Sequence, residues 1–255
     1  MATLSVLILT KNEASNIKDC INSCVFADEI LVIDDFSKDD TKIIAEQTAK
    51  NVRVISHALL DDWAQQRNFA IAQAKGDFVL FIDADERISK ELGKSIQSVI
   101  SGTSLDVAYE FKRVNQFAQG TLKHGVFRPD WVCRLFPRQA GHYVRPVHER
   151  LIINLTIQKI KGDLFHHTYP TWDMYWRKFN KYTQISAENY YLEGKRINFL
   201  IDIVLRPFWA FFKIYILNLG CLDGKLGFIF SVNHALYTMT KYVRLKSLSE
   251  TNGKI

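Results

Sequence analysis

The sequence has little of what usually builds a ready-made site. Its 255 residues hold four cysteines, Cys20, Cys24, Cys133 and Cys221, and none forms a CxxC pair or a Cys/His metal spacing. A disulfide framework and a zinc ribbon are therefore not expected, and reduced thiols are. Cys20 and Cys24 lie four apart on an expected helix and read as small packed side chains. Glycine numbers 12 and never falls into a GxGxxG or Walker pattern, so a phosphate ligand would lack the usual backbone cradle. No long apolar run is free of charge. The best one, 198–219, is interrupted by Asp202, Arg206, Lys213 and Pro207, and a span needs about 20 mostly uncharged residues. Met1 leads straight into Leu4–Leu9 without a basic leader or a small-residue cleavage site, so no signal peptide is expected. The sequon at Asn154-Leu155-Thr156 is then a chance match.

What remains is an ordinary globular composition, 47% hydrophobic and 24% charged, with room for one large domain or a domain and an appendage. The net charge of +6 is uneven. Residues 194–255 carry nine basic side chains (Lys195, Arg196, Arg206, Lys213, Lys225, Lys241, Arg244, Lys246, Lys254) against three acidic ones (Asp202, Asp223, Glu250). The whole excess lies there, pointing to an anionic partner such as a membrane surface or nucleic acid. These basic residues form no dense stripe, which argues against nucleic acid.

Strand and helix patterns alternate through the first hundred residues. Apolar strands at Val6–Leu9, Glu29–Ile33, Val52–Ile55 and Phe78–Ile82 are separated by expected helices at Glu13–Cys24, Thr41–Ala49 and Gln65–Ala74, the last closed by Gly76. This is the βαβ signature of an α/β fold with a mostly parallel, Rossmann-like sheet. Ligands of such sheets bind beyond the carboxyl ends of the strands. Asn12-Glu13, Asp34-Asp35 and Asp83-Asp85 all fall at such ends and converge on one rim. Residues 105–165 read as an antiparallel extension with long loops, and from Thr171 onward the pattern is helical. The expected segments are 1–104, 105–170 and 171–255.

Asp83 and Asp85 interrupt an apolar strand at alternating positions, so both should point the same way. Close like charges need a positive partner between them: a salt bridge, a helix N-terminus or a divalent cation. A solvated acidic turn capping the helix after Ser89 is the plainer reading. Without a glycine cradle, Mg²⁺ or Mn²⁺ held by carboxylates and substrate phosphates would suit this pair.

The segments "VLILTKNE" (6–13), "EILVIDDFSKDDT" (29–41), "WAQQRNFAI" (63–71), "DFVLFIDADER" (77–87), "RLFPR" (134–138), "RPVHERL" (145–151) and "GCLDGKLGF" (220–228) follow one another as in the family 2 glycosyltransferases. In order and spacing the chain resembles the bacterial enzymes that add β-linked glucose to the lipopolysaccharide inner core. The resemblance implies a GT-A fold with a nucleotide-sugar-binding half, 1–104, an acceptor-binding half, 105–170, and a C-terminal helical, membrane-associating extension. It implies Thr10 and Glu13 near the nucleotide, Asp34 or Asp35 near the uracil or ribose, and Arg67 near the diphosphate. Asp83 and Asp85 become the DxD pair, Asp85 being the direct ligand of Mg²⁺ or Mn²⁺. Glu149 is the expected base, with His148 to orient it; the plain alternative pairs Glu149 with Arg150, Arg145 or Arg134. Either His166 or His167 could supply a further metal or diphosphate ligand. The implied partners are a UDP-sugar donor, a lipid-linked saccharide acceptor and the cytoplasmic face of the inner membrane.

At about 100° per residue, Asn198, Asp202, Arg206 and Lys213 fall within about 80° of one another, leaving the rest of that helix apolar. Such a helix lies in a membrane interface, or packs on the domain or a second subunit. Two rival functions draw on the same residues. A sugar nucleotidyltransferase would want a glycine-rich entry loop, and "LILTKNEASN" has no glycine. A non-catalytic sugar-nucleotide or membrane-binding module would have no need of an intact aspartate pair.

Overall fold

In a computed structural model of the chain, residues 2–102, 105–117, 120–146, 149–169, 171–251 and 253 are described. The first half alternates as the sequence implies: β1 (Leu4–Thr10), α1 (Ile17–Asn22), β2 (Glu29–Asp34), α2 (Thr41–Thr48), β3 (Val52–Ser56), α3 (Trp63–Gln73) and β4 (Phe78–Asp83). Then come β5 (Glu86–Ile88), α4 (Lys90–Gly102), β6 (Val107–Phe117), β7 (Gly120–Thr121), β8 (Asp130–Pro137), β9 (Gly141–Val144), β10 (Arg150–Ile153) and β11 (Thr156–Tyr169). Helices α5 (Trp172–Leu192), α6 (Arg206–Phe212) and α7 (Gly224–Glu250) complete the chain.

Strands pair in the order β3-β2-β1-β4-β8-β6-β11-β5, with β7 beside β6, while β9 and β10 form a separate hairpin. The β3-β2-β1-β4 block is parallel, and β8 joins β4 antiparallel. Strands β1 and β2 are buried along their whole length, as a parallel sheet covered on both faces requires. Alternate residues feed two cores. Val6, Ile8, Ile30, Val32, Leu80 and Ile82 face α1, α2 and α4; Leu7, Leu9, Leu31, Ile33, Val79 and Phe81 face α3. Cys20 and Cys24 are buried in the first of these. The register sets Thr10 opposite Asp34 and Leu9 opposite Asp83, so the strand ends meet at one level.

By internal contacts the chain divides into two units, residues 1–113 with 130–166, and residues 114–129 with 167–255. The stretch 105–170, set apart in the sequence, is thus shared between them. Gly76 does not cap α3. That helix ends at Ala74 in extended backbone, and Gly76 is required because a Cβ there would stand 2.5 Å from the Ser5 amide. Gly162 is more constrained still: its φ is +107°, and a Cβ would run into the backbone of Leu92. Gly162→Ala is expected to destabilise the protein by at least about 2 kcal/mol through strain and overpacking. A urea unfolding midpoint would check it.

In the second unit, "GCLDGKLGF" serves packing. A Cβ on Gly227 would collide with the Gly220 carbonyl, and Ser231 Oγ donates to Gly227 O. Asp223 caps the neighbouring turn by accepting from the amides of Lys123 and His124 and from His124 Nδ1 at 2.8 Å.

Candidate active site

The carboxyl ends of β1, β2 and β4 open into a cavity of about 840 Å³ within the first unit. Thr10, Glu13, Asp35, Arg67, Asp83, Asp85, Glu149 and His166 line it. Of the two aspartates after β2, Asp35 faces the cavity. Lys11 Nζ lies 2.7 Å from its Oδ2, and the Leu59 amide donates to its Oδ1. Asp34 is buried and turned back, accepting from the Ser37 amide and hydroxyl to hold the turn. Glu13 accepts from Asn16 Nδ2 at 2.7 Å.

The DxD carboxylates have separate partners. Asp83 accepts from Arg134 Nη2 at 3.0 Å and from Arg67 Nη2 at 3.5 Å. Its protein surroundings would by themselves raise its pKa, but Arg134 and Arg67 outweigh them and hold the carboxyl well below the usual range. Asp85 Oδ2 lies 3.3 Å from His166 Nε2. The antiparallel pairing of β5 with β11 brings them together, since it sets His166 opposite Glu86. His166 lines the cavity, whereas His167 clusters with the second unit.

Behind Asp83 stands Glu86, fully buried. It accepts from the Asp83 amide at 2.8 Å and from Arg134 Nη1 at 2.8 Å, with Arg113 Nη1 at 3.7 Å. Burial pushes its pKa up; Arg134 opposes that, and the Asp83 charge adds to it. The charges form one alternating chain: Glu149, Arg67, Asp83, Arg134, Glu86, Arg113, Asp130.

Arg67 is the pivot. It is buried on α3 between the rings of Phe81 and Tyr143, at 5.1 and 5.3 Å, and its Nε donates to Glu149 Oε1 at 3.0 Å. The expected alternative partners of Glu149 were Arg150, Arg145 and Arg134; its partner is Arg67. Among the described residues, Arg67 Nη1 and Thr10 Oγ1 are buried without a hydrogen-bond partner. Two such orphans in one cavity wall call for a polar ligand. His148 lies outside the described residues.

Several wall residues carried no signal as site residues, among them Lys11, Leu60, Trp63 and Gln66. A hint was available in "HALLDDW", where apolar residues occupy a loop. Leu60 is 79% exposed, and Leu60 and Asp61, neighbours in the cavity wall, both adopt left-handed backbone. Such clustering of strained non-glycine residues is typical of functional loops.

Among the described residues, no three His, Cys, Asp or Glu side chains are grouped to hold a metal. The donor set that exists, one carboxylate and one imidazole, fits a Mg²⁺ or Mn²⁺ whose remaining ligands come from a diphosphate.

A parallel sheet extended by antiparallel strands, with an acidic rim at the strand ends, is the architecture of a GT-A glycosyltransferase. The family model for glycosyl transferase family 2 matches residues 5–183, and the chain belongs to that family. Among similar proteins, an uncharacterized glycosyltransferase of Rickettsia bellii is 29% identical, covering 97% of this chain and 86% of the relative. The lipopolysaccharide core biosynthesis glycosyltransferase LpsC of Rhizobium meliloti is 27% identical over 92% of this chain and 88% of its own. Among solved structures, residues 1–349 of TarS from S. aureus match with a TM-score of 0.46 and 17% identity, over 98% and 92% of the two chains.

Proposed function

We propose that the chain is a metal-dependent, inverting hexosyltransferase. It moves glucose from UDP-glucose to a lipid-linked saccharide, a lipopolysaccharide core heptose, at the cytoplasmic face of the inner membrane. The observation that carries this reading is the single cavity wall that gathers Asp85 with His166, the orphaned Nη1 of Arg67, and Glu149. Family membership and the relative named for lipopolysaccharide core biosynthesis support it.

Asp35 receives the uridine end, and Thr10 Oγ1 and Arg67 Nη1 take up the diphosphate. Asp85 and His166 would hold the divalent cation, which offsets charge on the departing diphosphate. Asp83 acts through the arginines, fixing Arg67 and Arg134 rather than touching the donor. Glu149 accepts the proton of the acceptor hydroxyl as that oxygen attacks the sugar from the face opposite the diphosphate. Its bond to Arg67 keeps it aimed until the acceptor arrives.

Glu149→Gln keeps the shape and one acceptor oxygen but cannot take a proton. It is expected to lose about 10²–10⁴ of turnover while UDP-sugar affinity stays within a few-fold, read by single-turnover kinetics beside calorimetry. Unimpaired turnover would remove Glu149 from the role of base. The reading as a whole is tested by incubation with a panel of UDP-sugars, Mn²⁺ and truncated lipid-linked acceptors, with mass analysis of the product. A product that gains a hexose supports it, and hydrolysis or no reaction with every pair overturns it.

A further inference from the structure

In the second unit, α6 and the π-helical turns on either side of it, Phe199–Leu205 and Lys213–Leu217, form a helical segment that buries a carboxylate and leaves much of its apolar surface exposed. A helix packed on a soluble domain buries its apolar stripe and exposes its charges. Here Asp202 is only 5% exposed. It accepts from the Asn198 amide at 2.8 Å and from Arg206 Nε at 2.6 Å, and the Arg206 guanidinium sits 5.8 Å over the ring of Tyr242 on α7. Asp202 and the Arg206 guanidinium therefore turn toward α7, while Asn198 and Lys213 stay exposed and Arg206 is half-exposed. The large apolar side chains face outward: Phe208 is 73% exposed and Trp209 55%, and Phe199, Leu200, Leu205 and Leu217 are each exposed by nearly half or more. Among the described residues, none covers these side chains.

We infer that this outward face is the surface by which the protein docks into the interface of a bilayer containing anionic lipid. The inference rests on the membrane reading above and names the surface and lipid class that reading leaves open. Charge decides the occupant. The region from 194 onward carries nine basic and three acidic side chains, and Asp202 is turned inward and paired with Arg206. A second copy would bring the same excess positive charge to the interface, whereas an anionic headgroup layer complements it. The apolar face enters the boundary between headgroups and acyl chains, Trp209 suits that depth, and Lys213 and Lys225 stay at headgroup level. Among the described residues no helix is long and apolar enough to cross a membrane, so this docking lies in the plane of the bilayer.

The test is flotation of the full chain with vesicles of phosphatidylcholine, with and without about one-third phosphatidylglycerol, beside sedimentation without lipid. The wild-type protein is expected to float with the anionic vesicles and poorly with the neutral ones, and brominated acyl chains should quench its tryptophan emission. Because Phe208 and Trp209 are exposed, Phe208→Ser with Trp209→Ser should fold normally by circular dichroism yet lose at least about tenfold in vesicle partitioning, as expected when two large inserted side chains are removed. Raised salt should weaken wild-type binding without abolishing it, since only the headgroup attraction is screened.

No flotation of the wild type, or equal flotation of the double variant, overturns the inference. So does a wild-type dimer that the double variant dissolves, because a second copy would then cover the face. Hexose transfer to a water-soluble acceptor is measured in parallel. If it fails while flotation persists, the transferase reading falls and the docking surface stands.

Discussion

Arg134→Ala is expected to destabilise the folded protein by about 3–5 kcal/mol, the range for removing one partner of a buried ion pair. The reason is Glu86. It is fully buried, and Arg134 is the cation whose Nη1 it holds at 2.8 Å, while Arg113 stands off at 3.7 Å. The same guanidinium also neutralises Asp83, so one substitution strands two carboxylates. Sign and pH dependence follow. Glu86 already has a raised pKa because burial opposes its charge, and Arg134 is what opposes the rise. Losing Arg134 pushes Glu86 up further, and the folded state then binds a proton that the unfolded state binds only near pH 4.3. The penalty is therefore largest at neutral pH, shrinks as pH falls through the raised pKa of folded Glu86, and is gone below the unfolded value. Asp83 contributes in the same direction: its lowered pKa is a stabilisation present above the unfolded value and lost in acid, and the variant has less of it to lose. Urea unfolding at pH 7 and pH 4.5 measures both. A second variant, Arg134→Met with Glu86→Leu, should recover much of the loss, since an apolar pair of similar volume needs no charge balance. If the single variant unfolds at the wild-type urea concentration, Glu86 has another source of compensation.

That network also marks where the sequence stopped being legible. Continuous apolar runs identify β1, β2 and β4, and their common direction is enough to set Asn12-Glu13, Asp34-Asp35 and Asp83-Asp85 on one rim. Residue types could not say that Glu86, one position beyond the DxD pair, is the fully buried carboxylate, because its partner lies 48 residues away on β8. Asp34 and Asp35 were equivalent in sequence. They part because Asp34 is the last residue of β2 and its side chain closes the turn with Ser37. Helix α1 is shorter than the span Glu13–Cys24, for Glu13–Asn16 form the turn that presents Glu13 to the cavity.

The tail shows a second limit. Periodicity revealed a polar stripe at Asn198, Asp202, Arg206 and Lys213, and an angular pattern reads the same whether the stripe or its opposite faces the protein. The stripe could equally have faced headgroups or packed on the domain or a second subunit; Asp202 and the Arg206 guanidinium turn toward α7, and large apolar side chains of the same segment are exposed. Only the tertiary contacts of α7 distinguish the two.

Asp85→Ala is expected to lower transfer by at least about 10³-fold, or roughly 4 kcal/mol in the barrier at 1.36 kcal/mol per decade. The argument rests on the division of labour within the DxD pair. Asp83 is engaged by two guanidinium groups, and its removal would disturb the ion-pair chain and the fold together. Asp85 touches neither arginine in that chain; its partner is His166, at 3.3 Å on the cavity wall. Its loss should thus leave stability within about 1 kcal/mol of wild type, the scale of a partly exposed ion pair, while removing the carboxylate proposed to hold the cation. Two measurements separate this from a structural defect. Unfolding in urea should be nearly unchanged, and Mn²⁺ titration in the presence of UDP, followed by electron paramagnetic resonance, should show binding weakened at least about tenfold, in the range for loss of a group that supports the metal. His166→Ala should weaken Mn²⁺ in the same assay by a smaller factor, because a neutral imidazole contributes less than a charged oxygen to holding a hard cation. Wild-type Mn²⁺ affinity in Asp85→Ala would move the cation site elsewhere in the cavity and leave Asp85 as no more than the partner of His166.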